Sequence, residues 1–150
     1  MAKHLDLEEQ EQLAELKHFW KRYGNVIFWV LIAVLGAVAA WNGYQYWQRN
    51  QSSQAAVMYD EVERAAVAGD VPKLERVMTD MKDRYAGTAY AEQAALLAAR
   101  IYQDKGNLDA AKGALAWVAG KGKDAGYQSV ARLRLSGMLL ESRAYEEALQ

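Results

Sequence analysis

The chain has 150 residues, of which 52% are hydrophobic and 25% charged, with a net charge of −1 and a pI near 6.1. That length supports one modest core, and without a basic surplus the electrostatic footprint of a nucleic-acid binder is missing, so no nucleic-acid partner is expected. The chain has no cysteine, which excludes a disulfide framework and thiolate metal sites.

Residues 1–22 form a charged tail. Asp6 and Glu9 have the spacing of a capping box, and Leu13, Leu16 and Trp20 recur at helical intervals, which predicts a short amphipathic helix. The stretch Val26 to Trp41, "VIFWVLIAVLGAVAAW", then contains no polar side chain, and Tyr23 to Gln48 contains no charged one. A hydrocarbon layer of roughly 30 Å needs about 20 helical residues, so residues 23–48 are predicted to form a transmembrane helix. Trp20 and Tyr23 frame it on one side and Trp41, Tyr44, Tyr46 and Trp47 on the other, where amphipathic rings favour the headgroup level. A buried core helix in so small a domain would keep a polar face. Ala37-Val38-Ala39 matches a signal-peptide cleavage pattern, but the acidic tail before the span is not a short basic leader.

Lys3, Lys17, Lys21 and Arg22 precede the span, whereas Arg49 alone follows closely. The positive-inside rule therefore places the N-terminus in the cytoplasm and residues 49–150 across a bacterial inner membrane, in the periplasm, as a single-pass protein. Within the span, Ala33, Gly36, Ala37, Ala40 and Gly43 form a small-residue stripe suited to packing against a partner helix.

Beyond the span, "KGNLDAAKGAL" (residues 105–115) reads as a seam between two helices, with Gly106 ending one and Asn107 able to cap the next. A shift of 37 residues lays Gly69-Asp70 on Gly106-Asn107 and both on Arg143-Ala144. The same shift pairs Tyr90 with Tyr127, Ala94 with Ala131 and Leu96 with Leu133. Helix pairs at one spacing mean a stacked repeat. "AARIYQDKGNLDAAKGALAWV" resembles a tetratricopeptide repeat at Ala99, Tyr102, Gly106, Leu108, Ala111 and Leu115. Ala99 and Ala111 would let the two helices approach, and Tyr102 and Leu115 would fill the space between them. The fold class is thus all-α: an N-terminal transmembrane helix (23–48) followed by a tetratricopeptide-like solenoid of about three units (49–150). The third unit stops early in its second helix, as in part of a longer array.

Catalytic and ligand-binding patterns are lacking. His4 and His18 lie in the tail without ligand spacing, and no histidine follows the span to activate a serine. "GKGKDAG" (residues 120–126) lacks the G-K-[ST] of a phosphate loop and follows a helix. Asp60-Glu61 and Glu146-Glu147 are adjacent on helices and do not face each other. No enzyme activity, metal or cofactor is therefore expected. A solenoid binds through its concave face, for which the candidates are Gln93, Leu96, Arg100 and Gln103 on one helix and Val130, Leu133, Leu140 and Glu141 on the next.

The order of the acidic-then-basic tail "EEQEQLAELKHFWKRYG", the span, the aromatic exit "WNGYQYWQ", the helix near "QAAVMYDEV" and the degenerate repeats resembles the ancillary SecYEG translocon subunit family, YfgM-like, over essentially the whole chain. The resemblance implies association with the SecYEG translocon and with a PpiD-like periplasmic chaperone. It also implies a role in handling secreted or outer-membrane proteins as they emerge. A structural scaffold for another envelope complex, in cytochrome maturation or cell division, is the alternative.

Overall fold

The structure, a computed structural model, describes residues 7–142. Every regular element among them is an α-helix: α1 (Leu7–Ala68), α2 (Val71–Tyr85), α3 (Ala89–Asp104), α4 (Leu108–Lys121) and α5 (Ala125–Glu141). The chain divides into two compact units, Met1–Trp47 and Gln48–Gln150.

The described residues of the first unit (7–47) all belong to α1. Tail, span and first repeat helix are expected as successive elements, yet α1 runs through all three without interruption. No proline falls within it, and the polar run "QRNQSSQ" keeps its side chains busy without breaking the backbone, since Ser53 Oγ donates back to the Arg49 carbonyl at 3.0 Å. The expected capping box at Asp6 lies outside the described residues.

In the second unit, α2 to α5 follow the rest of α1 as antiparallel neighbours, and the two described seams are built from the same bonds. At Gly69 the chain enters the left-handed region (φ 64°), as it does at Gly106 (φ 77°), a conformation that glycine adopts without steric cost. Each glycine N–H reaches the carbonyl three residues back, and the next N–H reaches five back: Gly69 to Ala66 and Asp70 to Ala65, then Gly106 to Gln103 and Asn107 to Tyr102. This is the Schellman pattern, which satisfies the last carbonyls of the helix. The residue after each glycine caps the following helix, Asp70 Oδ1 accepting from Lys73 N and Asn107 Oδ1 from Ala110 N. Pro72 then sits in the first turn of α2, where a missing N–H costs nothing. The third seam, at Arg143, lies outside the described residues.

Between seams, the helices approach on small side chains. Ala91, Ala94, Ala95, Ala98 and Ala99 of α3 are all buried, as is Ala111 of α4, while Tyr102, Leu115, Leu74, Met81 and Val118 fill the remaining space. Spacings of three and four put these residues on one stripe of each helix, so alternate narrow and wide positions interdigitate. From α1 only Ala55, Val62, Ala65 and Ala66 are buried. Tyr85 Oη donates to Gln54 Oε1 at 2.9 Å, tying α2 to α1. Leu108, read as apolar within the seam, is 46% exposed.

The α4–α5 connection is held from a distance. Glu92 on α3 is buried, and its carboxylate accepts from the backbone N–H of Lys123 at 2.6 Å and of Asp124 at 3.3 Å. Asp124 in turn caps α5 by accepting from Gly126 and Tyr127 N–H. "GKGKDAG" is therefore a tethered inter-repeat loop, and a Cβ on Gly122 would press against the Val118 carbonyl.

Candidate functional site

Because α3 and α4, and then α4 and α5, form antiparallel pairs, α3 and α5 run in the same direction. They face each other across a concavity of about 440 Å³. From α3 it is lined by Ala99, Arg100, Gln103 and Asp104; from α5, by Arg134, Gly137, Met138 and Glu141; Leu115 of α4 contributes to its floor. Of the residues expected to line the groove, the structure brings Arg100, Gln103 and Glu141 together here. Gln93 is already engaged, since its Nε2 donates to Tyr127 Oη, and Leu96 is half-buried against the core. Val130, Leu133 and Leu140 are exposed on α5 and do not line the concavity.

Asp104, Arg134 and Gly137 were not among the residues expected from the sequence. The 37-residue shift that aligns the seams also aligns Arg100 with Gly137 and Asp104 with Glu141, which was the available signal. It does not by itself say which turn of each helix faces the concavity.

About two to four turns closer to the start of α3 and α5 lies a group of tyrosines. The rings of Tyr59 (α1) and Tyr90 (α3) lie 6.0 Å apart at 53°, and Tyr127 of α5 joins them through Gln93. Burial pushes the Tyr59 phenol above its usual range, with Glu63 and Tyr127 adding to the shift. Tyr102, deeper in the α3–α4 contact, is pushed up to about 12 by burial, with Glu75 contributing. On the second helices, Lys82 places its ammonium 5.4 Å from the Trp117 ring, and burial lowers its pKa. These groups are desolvated by packing. Among the described residues there is no group of three His, Cys, Asp or Glu side chains that could hold a metal ion.

In the first unit, the small residues Ala33, Gly36, Ala37, Ala40 and Gly43 all lie exposed on α1, and a Cβ added at Gly36 or Gly43 would meet nothing within 4 Å. The large apolar residues around them are exposed as well, among them Phe28, Trp29, Leu31 and Leu35. Alone among the described helices, α1 has an apolar stretch long enough to cross a membrane; its mean hydropathy is 2.1 and none of it is buried.

A family model described as a tetratricopeptide repeat-like domain matches residues 17–150. The chain is 36% identical to a protein of Neisseria gonorrhoeae named "Ancillary SecYEG translocon subunit", over 99% of this chain and 71% of the relative. A protein of the same name from Haemophilus influenzae is 27% identical, over 95% of this chain and 70% of the relative. No solved structure matches the chain significantly.

Proposed function

Because the chain belongs to the family of ancillary SecYEG translocon subunits with a tetratricopeptide repeat-like domain, we propose that it is a non-enzymatic, membrane-anchored adaptor at the translocon. In this reading residues 1–22 are a cytoplasmic tail, residues 23–48 cross the inner membrane, and residues 49–150 form a periplasmic repeat domain. The repeats bind a PpiD-like chaperone and secreted or outer-membrane proteins as they emerge. The match to the gonococcal relative along 99% of the chain carries the proposal. Physical support comes from α1, whose apolar segment is unburied among the described residues, as suits a helix solvated by lipid.

Affinity purification of the full chain from gently solubilised membranes tests it. SecYEG subunits should be recovered. Their absence, with recovery of cytochrome-maturation or division proteins, would replace the adaptor by a scaffold of another envelope complex. The orientation is tested separately: a reporter active only outside the cytoplasm should work after Gln150 and fail before Met1, and intact mass should exclude a product beginning at Ala40.

A further inference from the structure

The concavity between α3 and α5 holds an ordered charge pattern. Along α3, Arg100 precedes Asp104 by four residues, an axial separation of about 6 Å; along α5, Arg134 precedes Glu141 by seven, about 10 Å. Since the two helices run in the same direction, both arginines lie toward one end and both carboxylates toward the other. Among the described residues none of these four groups takes part in an ion pair or hydrogen bond, so the charges face the open space rather than each other. Gly137 lies between Arg134 and Glu141, and a Cβ placed on it would meet nothing within 4 Å.

We propose that this concavity is the docking site for an extended segment of an unfolded protein chain carrying one acidic and one basic side chain two residues apart. In an extended strand, side chains at i and i+2 share a face and lie about 6.6 Å apart, which matches the axial separation of Arg100 and Asp104. The acidic group meets the arginine end and the basic group the carboxylate end. The net charge of the four groups is zero, so a uniformly basic or acidic segment gains at one end what it loses at the other. The inference rests on the adaptor reading, and it specifies which chemistry the repeats select in a client.

The test uses the full chain in detergent and short fluorescent Gly/Ser peptides followed by anisotropy. One peptide carries Glu and Lys at i and i+2; the comparison peptides carry Gln at both positions, Lys at both, Glu at both, or the Glu–Lys pair at i and i+1. The i,i+2 pair should bind saturably, about tenfold or more tighter than every comparison peptide, and more weakly as salt is raised. Gly137→Trp, filling the open space, and Arg100→Glu should each abolish that preference while leaving the melting temperature unchanged. If Gly137→Trp lowers the melting temperature, the exposed Arg100→Glu decides alone. Absence of saturable binding, equal binding of the Gln peptide, or retention of the preference by Arg100→Glu overturns the proposal. Wild-type protein that binds the peptide but recovers no translocon subunits would defeat the adaptor reading and leave this one standing; the converse result defeats only this one.

Discussion

Two stretches of the same helix meet opposite conditions. Around Leu35, α1 presents large apolar side chains with nothing among the described residues packed over them, Leu35 itself being 67% exposed; farther along, Ala55, Val62, Ala65 and Ala66 form a stripe of small and medium side chains that is buried. Hydrophobicity alone does not separate the two. The first stretch is apolar around its whole circumference, which suits a medium as apolar as leucine on every side, whereas the second is apolar on one stripe and built for close approach of a neighbouring helix. The repeat domain extends the second pattern, with five buried alanines on α3 alone setting how near α2 and α4 can come.

Truncating matched leucines gives the largest contrast. In the full chain in detergent, Leu74→Ala should cost about 2–5 kcal/mol, the usual effect of a cavity in a packed core, since Leu74 is 0% exposed. Leu35→Ala should leave the thermal transition of the repeats in place. Equal shifts would remove the distinction drawn between the two stretches. Enlarging small residues sharpens it from the other side: Ala111→Trp should destabilise the repeats by about 1–3 kcal/mol or more through overpacking, whereas Ala33→Leu should not, because Ala33 is exposed on α1. Lys121→Ala, on an exposed residue at the end of α4, should change stability by less than about 0.5 kcal/mol.

A smaller effect separates seam from core. Asn107→Ala removes the cap on α4 and should cost about 1 kcal/mol, with Asn107→Asp restoring most of it, as read by the same melts. The last is confined to alkaline solution. Tyr102 has a folded pKa raised to about 12 against an ordinary value of 10.0, so burial of its neutral phenol favours the fold fully below pH 10, and that contribution is lost as pH rises toward 12. Tyr102→Phe should therefore lose less stability than wild type between pH 10 and 12, while titrations of the other groups cancel in the comparison. A steeper loss in the variant would contradict the assigned burial.

These contrasts also mark how far the sequence carries. The helix pairing was legible because glycine, a capping residue and returning alanines are local signals: Gly106, Asn107, Ala99 and Ala111 occupy the positions their chemistry dictates. The continuity of α1 was less so, since a change from apolar to polar composition reads as a boundary even where no residue breaks the backbone. Glu92 holding the loop at Lys123 and Asp124 had no local signal at all, because its partners are 31 and 32 residues away. For the groove, helical periodicity names residues on α3 and α5 but does not give the turn facing the concavity. Arg100, Gln103 and Glu141 line it, while Leu133 and Leu140 lie elsewhere on α5.

The division of labour proposed for the two units is tested most directly by site-specific photocrosslinking in living cells, with one probe at Gly36 and another at Gly137. Among the described residues nothing lies within 4 Å of a Cβ added at either position. The account predicts translocon subunits as the adducts of the Gly36 probe, and chains in transit or the periplasmic chaperone as those of the Gly137 probe. Translocon adducts from Gly137 with none from Gly36 would contradict it, and the absence of adducts from both would move the contact to the tail before Trp20.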